Sequence, residues 1–235
     1  MTAMGDGPRL RLLSYNVHSL RDDLDALAAV VRAADPDVVV VQEAPRRFRW
    51  RSKCAALAHR FGLVVAGGGL PALGNLVLTS LRVRVHEQTC VRYPLTPGRH
   101  MRGAVLVRCD VGGTRFAVAG SHLATDSRER PAQAEHLRRL LAQADEPLLL
   151  GIDLNETPDG GAWRTLAGAG LIDAATTMGR AEIPTFPVTE PRRRIDAIFV
   201  DPRCEVGDYR VFDPPEARRA SDHFPLLAEV ALPGS

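Results

Sequence analysis

Two groups of polar residues near the end of the chain have the composition of a catalytic site. Asp196 lies inside the apolar run 195–200, and Ser221, Asp222 and His223 follow about one strand and one loop later. A carboxylate inside a buried strand is strongly unfavourable unless it finds a hydrogen-bonded or charged partner. Histidine is a natural partner. We therefore predict that Asp196 holds one ring nitrogen of His223 and that the other nitrogen faces an active site.

Further polar residues stand where predicted strands end, which is where functional sites are commonly built. These residues are Asn16, Glu43, His122, Asp153 and Asn155, and they stand at the ends of the apolar runs 10–17, 38–41, 114–122 and 147–152. Each of them has a structural explanation when it is taken alone. Asp153 and Asn155, however, are two positions apart on a strand, so their side chains point to the same side. The joint pattern predicts that these groups meet at one rim.

The elements that would position these residues are both helices and strands. Helices are predicted from Asp22 or Asp23 to about Ala34, over 52–61, from Ser127 to about Ala144 and from Asp159 to Ala167. Besides the runs above, strands are predicted at 62–66, 74–80, 82–92, 103–110, 195–200, 205–212 and 225–232. A simple alternation of strand and helix would not hold so many strands. We therefore predict a single α/β domain over 9–235, with two packed sheets and helices outside, after a disordered tail at 1–8.

Composition narrows the class of protein without identifying a partner. The 235 residues are 45% hydrophobic and 25% charged, as in a soluble globular protein, and the net charge is +2. The start of the chain has no basic and then apolar leader, and no apolar run approaches the roughly 18 residues that a membrane span needs. The four cysteines lack the spacing of a zinc site or a disulfide framework. We expect a cytoplasmic monomer that does not bind membranes.

Taken together, the motifs resemble those of the endonuclease/exonuclease/phosphatase superfamily. This group includes pancreatic-type deoxyribonuclease, abasic-site endonucleases, neutral sphingomyelinases and inositol polyphosphate 5-phosphatases. The resemblance extends from about residue 9 to residue 232 and rests on the segments Ser14–His18, Gln42–Glu43, Gly74–Ser80, Arg102–Ala104, Ser121–Leu123, Asp153–Asp159, Thr185–Phe186, Arg194–Asp196 and Ser221–His223. One detail departs from the family pattern. The glycine that usually precedes the first Asp of Asp-x-Asn is displaced by one residue in Gly151-Ile152-Asp153.

The resemblance implies a four-layer α/β/β/α sandwich of two mixed sheets and hydrolysis of a phosphoester with the help of Mg²⁺ or Mn²⁺. It assigns Glu43 as the principal metal ligand, with Asn16 beside it and Asp222 as a further ligand. Oxygen ligands of this kind suit hard Mg²⁺ or Mn²⁺ better than zinc.

The resemblance also implies roles for the catalytic residues. Asp153 would orient and deprotonate the attacking water, and Asn155 would hold that water or the developing charge. His122 would contact the phosphate, and His223, held by Asp196, would complete the site. A carboxylate that aims water at the phosphorus lowers the barrier to attack on an anionic phosphodiester.

Arginines adjoin several of these motifs, and the arginine side chain offers a planar fork that matches phosphate. The candidate substrate-binding residues are Arg46, Arg47, Arg49, Arg102 and Arg194. In the arginine-rich segment 45–51, which directly follows Glu43-Ala44, Phe48 and Trp50 could stack on bases. The alternative is a solvated, arginine-rich surface with both aromatic side chains packed inward.

Three functional hypotheses follow from these residues. The leading one is a Mg²⁺-dependent phosphodiester hydrolase, a nuclease that acts on DNA or RNA. The second is a phosphoesterase for a small molecule or a lipid headgroup. The third is a catalytically silent binding module of the same fold. The joint presence of Glu43, Asp153 and His223 argues against the third, because a pure binder needs no water-activating carboxylate.

Overall fold

Strands and helices account for most of residues 7–234, which are the residues that the computed structural model describes. The strands are β1 (Arg9–Asn16), β2 (Val38–Gln42), β3 (Val64–Gly69), β4 (Asn75–Thr79), β5 (Val83–Arg92), β6 (Gly103–Val111), β7 (Thr114–His122), β8 (Leu148–Asp153), β9 (Ile172–Asp173), β10 (Asp196–Val200), β11 (Glu205–Val211) and β12 (Leu226–Ala231). The helices are α1 (Leu24–Ala34), α2 (Trp50–Phe61), α3 (Arg130–Leu141), α4 (Gly161–Ala167), α5 (Ala174–Thr177) and α6 (Ala217–Ala220), and single 3₁₀ turns lie at His18–Leu20 and Leu70–Ala72.

Two mixed sheets of six strands each pack face to face. The first sheet has the order β11-β12-β1-β2-β4-β3, and the second has the order β5-β6-β7-β8-β10-β9. The pairs β1–β2 and β7–β8 are parallel, and the remaining pairs are antiparallel. Apolar side chains between the sheets form the central core. Helices α1, α2 and α6 cover the outer face of the first sheet, and α3 and α4 cover the second. The predicted four-layer α/β/β/α sandwich is confirmed.

The sequence predicted that helix α3 begins at Ser127, but the helix begins at Arg130. The residues before it form a turn in which the Asp126 carboxylate accepts a hydrogen bond from the backbone N–H of Arg128 at 2.9 Å. Pro131 then occupies the first turn of the helix, where its missing N–H and fixed φ are tolerated. A local turn therefore replaces the predicted serine cap.

Helix α4 begins at Gly161. The sequence predicted Asp159 as its cap, but the side chain of Glu156 caps it. The Glu156 carboxylate accepts hydrogen bonds from the backbone N–H groups of Ala162 at 2.6 Å and Trp163 at 3.3 Å. Its other oxygen accepts a hydrogen bond from Arg130 Nε at 3.0 Å. Glu156 thus ties the segment after β8 to the helix that follows β7.

The predicted disordered tail at 1–8 lies outside the described residues, apart from Gly7 and Pro8. The Pro8 carbonyl accepts a hydrogen bond from the backbone N–H of Leu232 at 3.0 Å. Within residues 7–234, no helix is both long enough and apolar enough to cross a membrane.

Candidate active site

Polar side chains close one end of the central core. Asp153 stands four positions after the core residue Leu149 in β8, and His122 stands four positions after Val118 in β7. Because side chains alternate along a strand, residues four apart share one face. Asn16 of β1 follows the same rule. These groups therefore emerge from between the sheets, where they line a cleft of about 1020 Å³.

Asp153 lies at the base of this cleft, with 1% of its surface exposed. Asn16 Nδ2 donates to Asp153 Oδ2 at 2.9 Å, and the backbone N–H of Asn155 donates to Oδ1 at 2.9 Å. His122 Nε2 lies 3.2 Å from the same Oδ2 atom. A buried carboxylate requires such partners. These contacts fix the orientation of the Asp153 carboxylate.

His122 contacts polar groups through both ring nitrogens. Arg102 NH1, which can only donate, lies 3.2 Å from Nδ1, and Nε2 lies 3.2 Å from Asp153 Oδ2 and 2.9 Å from Asn155 Nδ2. Burial lowers the pKa of His122 to about 3; Asp153 opposes this shift and Arg102 adds to it. His122 is therefore a neutral imidazole at physiological pH. Asn155 lies beside the ring, and its Nδ2 atom donates to the Leu123 carbonyl at 3.0 Å.

His223 is paired with Asp196, as predicted. Its Nδ1 atom lies 3.1 Å from Asp196 Oδ1 and 3.0 Å from Oδ2, and the Thr185 hydroxyl donates to Oδ2 at 2.6 Å. Burial by itself lowers the pKa of His223, but Asp196, Asp153 and Asp222 outweigh this effect and raise it to about 10. The second nitrogen, Nε2, lies 3.9 Å from Asp153 Oδ2. The cleft thus holds one neutral and one positively charged imidazole.

Two glycines allow the sheets to approach closely just below these residues. Gly151, two positions before Asp153, is adjacent in register to Gly120. A Cβ atom on Gly151 would lie 2.9 Å from Val40 Cβ in the opposite sheet, and one on Gly120 would lie 2.7 Å from Val40 Cγ1. Ile152 points the other way, into the core between the second sheet and its helices. Gly151, the displaced glycine of the sequence motif, therefore lies at a position where the two sheets leave no room for a side chain.

The carboxylates of the cleft fit a divalent cation. Asp222 Oδ1 is buried without a hydrogen-bond partner, at 3.8 Å from His18 Nδ1 and 4.0 Å from His223 Nε2. Glu43 Oε2 accepts a hydrogen bond from the Ser19 hydroxyl at 2.7 Å, while Oε1 lies 4.0 Å from Nδ1 of the neutral His122. A buried oxygen without a donor is costly, and hard cations prefer such oxygens.

A second group of possible ligands is buried beneath them. Asp153, Asp196 and His223 have ligand atoms within 4.8 Å of one another and could hold a metal ion. Asp196 and the Nδ1 atom of His223 already bind each other, however. The carboxylates of Glu43 and Asp222 have fewer hydrogen-bond partners and are therefore more available as metal ligands.

The predicted arginines separate into two sets. Arg46, Arg47 and Arg102 line the cleft, and Arg46 NH1 donates to the carbonyls of Leu73 at 3.0 Å and Met101 at 3.2 Å. Arg49 and Arg194 are not among the residues that line it.

Arg194 is occupied elsewhere. Its guanidinium forms a 2.9 Å ion pair with Asp173 and lies 4.4 Å from the ring centre of Trp163. The two aromatic residues beside Arg49 also differ: Phe48 is 83% exposed, whereas Trp50 packs against the outer core of the first sheet. Of the two, only Phe48 remains available for stacking.

Several residues that the sequence reasoning did not select also line the cleft, namely His18, Arg21, Lys53, Arg60 and His100. His18 ends the first motif, and its Nδ1 atom lies 2.8 Å from Asp22 Oδ2. Lys53 and Arg60 are seven positions apart on α2, so they share one helix face. The sequence therefore already indicated, through this spacing, that Lys53 and Arg60 lie on the same side of the helix.

Comparisons with known proteins give the family and the fold of this chain. The model of the Endonuclease/Exonuclease/phosphatase family matches residues 13–223. No curated protein matches the sequence. A solved endonuclease/exonuclease/phosphatase from Beutenbergia cavernae DSM 12333 is 26% identical, with a TM-score of 0.75 over 96% of this chain and 72% of that one.

Two further solved structures share the fold. The mannosyl-6-phosphatase of Bacteroides thetaiotaomicron is 19% identical, with a TM-score of 0.76 over 95% of this chain and 100% of that one. D. rerio TDP2 complexed with a single-strand DNA product is 20% identical, with a TM-score of 0.70 over 94% of this chain and 98% of that one. The family model covers most of the sequence. The chain belongs to the endonuclease/exonuclease/phosphatase family.

Proposed function

We propose that this protein is a divalent-metal-dependent phosphodiester hydrolase that acts on nucleic acid. The observation that carries the proposal is the position of the Asp153 carboxylate, which lies between the neutral His122 and the cationic His223 at the base of a basic cleft. A water-activating base, a charged donor and anion-binding side chains therefore face one space. Phosphoester hydrolysis needs these three functions together.

Asp153 is the proposed general base. Its Oδ1 atom accepts a hydrogen bond from the backbone N–H of Asn155, and its Oδ2 atom, which faces Nε2 of both His122 and His223, is the proposed acceptor of the proton from the attacking water. The Asn16 amide and His122 Nε2 contact the same Oδ2 atom and keep the carboxylate in one orientation. Holding the base in the geometry of the reaction lowers the barrier in addition to its basicity.

His223 and Arg102 are the proposed donors to the phosphoryl oxygens. The bond from Nδ1 to Asp196 keeps the His223 ring protonated and directs Nε2 toward Asp153. Arg102 lies at the cleft base, where NH1 contacts His122. Fixed cationic donors stabilise the charge that accumulates on phosphorus in the transition state.

Glu43, Asp222 and Asn16 are the proposed ligands of Mg²⁺ or Mn²⁺. A bound ion of this type supplies additional stabilisation of negative charge on the phosphoryl and leaving oxygens. The Oδ1 atom of Asn16 accepts a hydrogen bond from the backbone N–H of His18 at 3.0 Å, which keeps the side chain at the cleft. Asp222 contributes the buried oxygen that has no donor.

The nucleic-acid assignment is supported by the walls of the cleft. Arg46, Arg47 and Lys53 give it positive charge, as a polyanion requires. Its volume of about 1020 Å³ matches the upper end of the range for drug-sized ligands, roughly 300–1,000 Å³, and far exceeds the needs of one phosphate group. D. rerio TDP2 has the same fold and was solved with a DNA product.

A substrate panel tests the proposal. Single- and double-stranded DNA, RNA, chromogenic phosphodiesters, phosphomonoesters, inositol phosphates and sphingomyelin are incubated with the enzyme in Mg²⁺, in Mn²⁺ and in chelator. We expect metal-dependent cleavage of nucleic acid and of the diesters. Hydrolysis of sugar phosphates or other monoesters alone would support the small-molecule hypothesis, which the mannosyl-6-phosphatase with the same fold represents. Binding of nucleic acid without any turnover would support the silent module.

A further inference from the structure

The cleft extends away from the candidate active site into a groove between α1 and α2. The floor of this α1–α2 groove is apolar and consists of Leu20, Leu24 and Leu57, and its rim is basic and consists of Arg21, Lys53 and Arg60. Leu20 and Leu24 are only partly buried, although they pack against the outer core of the first sheet. The groove belongs to the same cavity as Asp153 and His223. A ligand bound at the active site can therefore continue into it.

The groove is formed by one face of each helix. On α2, the positions 53, 57 and 60 follow the spacing of a single face, and position 57 places its apolar side chain between the two cations. At the far end, Arg60 NH1 forms a 2.7 Å ion pair with Asp25 of α1. This pair joins the two helices at the groove.

The rim has cations that the protein does not neutralise. Among residues 7–234, neither Arg21 nor Lys53 forms an ion pair, whereas Arg60 pairs with Asp25. An apolar floor beneath unpaired cations matches a ligand with a flat apolar body and an anionic group. A nucleotide has both parts. A bare phosphate has no apolar part to contact the floor, and an uncharged ring has no anionic group to pair with the cations of the rim.

We propose that the α1–α2 groove binds the unpaired nucleotide next to the scissile phosphate, with its base on the apolar floor and its phosphate on Arg21 and Lys53. This inference rests on the proposed function and names its substrate class as single-stranded nucleic acid or an unpaired end. A base inside a duplex is covered by its stacked neighbours and by its partner, so it must leave the stack to reach a floor between two helices.

The first test uses a pair of cations on α2. Lys53→Ala removes a rim cation, and Arg51→Ala removes an exposed cation that stacks on Trp50 outside the groove. We expect Lys53→Ala to lower kcat/KM for a short single-stranded oligonucleotide by about tenfold, which corresponds to about 1.4 kcal/mol. Hydrolysis of methyl p-nitrophenyl phosphate, which has no second phosphate, should fall much less than oligonucleotide cleavage in Lys53→Ala, and Arg51→Ala should leave both activities unchanged.

The second test fills the groove without disturbing the core. Ala56 lines the groove and Ala55 does not, and both are exposed on α2. We expect Ala56→Trp to weaken binding of a labelled oligothymidylate, measured by fluorescence anisotropy in chelator, while Ala55→Trp leaves it unchanged. This measurement needs no turnover. If the wild-type enzyme fails to cleave any diester, the proposed function is lost but the groove is still tested.

Three results would overturn the inference. Equal losses of activity toward the oligonucleotide and the small diester in Lys53→Ala would place that lysine at the reaction centre. Unchanged oligonucleotide binding in both Lys53→Ala and Ala56→Trp would show that the groove is not used. Loss of activity toward a short-chain phospholipid in Ala56→Trp, with oligonucleotide cleavage intact, would assign the floor to an acyl chain.

Discussion

The Nδ1 atom of His223 lies 3.0 Å from Oδ2 of Asp196, and this contact joins the two sheets of the sandwich. Asp196 begins β10 in the second sheet, whereas His223 precedes β12 in the first. The 2.9 Å contact between Asn16 and Asp153 also crosses from one sheet to the other. The candidate site is thus assembled between the sheets and does not belong to either one.

The His223–Asp196 pair should make stability depend on pH. The pKa of His223 is raised from 6.5 to about 10 in the folded protein, so the stabilisation is fully present below pH 6.5 and is lost as pH rises through about 10. In chelator, we expect the free energy of unfolding to fall less between these pH values in Asp196→Asn than in the wild type. Chemical denaturation across this range measures the difference. Parallel pH profiles would show that the pair does not control the protonation of His223.

Replacement of the proposed base should remove activity. We expect Asp153→Asn to lower kcat by about 10²-fold or more, because the amide cannot accept the proton of water. The new NH₂ group also faces the amide donor of Asn16, so unfolding should become easier by about 1–3 kcal/mol. Asp159→Asn, an exposed position in the loop that follows β8, is the control and should retain full kcat. An unimpaired Asp153→Asn enzyme would make Asp153 a structural residue.

Metal binding can be measured independently of turnover. We expect Glu43→Gln to raise the Kd for Mn²⁺ about tenfold or more, since hard cations favour charged oxygen ligands. Electron paramagnetic resonance of free Mn²⁺ gives the affinity directly. Glu182→Gln, a change at an exposed position, should bind Mn²⁺ as the wild type does. Equal affinities in the two variants would exclude Glu43 as the principal ligand.

Salt dependence distinguishes the two sets of arginines. Arg47 lines the cleft and Arg49 does not, and both side chains are exposed. We expect Arg47→Ala to reduce the log–log slope of oligonucleotide affinity against salt by about one, the effect of one lost phosphate contact, and Arg49→Ala to leave it unchanged. Anisotropy titrations at several salt concentrations in chelator provide the slopes. An unchanged slope in Arg47→Ala would favour a small substrate.

Much of the site was predictable because strands impose alternation. Asn16 and His122 share parity with the apolar residues of strands that carry arginine at alternate positions, so the sequence places them on the inner face. Asp153 ends a strand that is apolar on both faces, and alternation alone does not choose its side. The need of a buried Asp196 for a partner was likewise enough to predict its contact with His223. These inferences rely on local rules and on the cost of burying a charge.

The less predictable features depend on contacts between distant parts of the chain. Arg194 adjoins a catalytic motif in sequence, yet Asp173 and Trp163 hold it away from the cleft. Trp50 follows an exposed turn, but packing on the first sheet removes it from the surface that Phe48 occupies. Neighbours along the chain do not specify such partners.

The close approach at Gly120 and Gly151 makes the backbone, rather than any catalytic side chain, the element that sets the dimensions of the site. Val40 touches the place where a Cβ atom would stand on either glycine. A change that swells the central core would widen the gap and would separate the cross-sheet contacts of Asp153 and Asp196 at the same time, because packed interiors transmit strain. Catalytic activity would then depend on the distance between the two sheets. On warming, activity would be lost while the strands and helices were still intact.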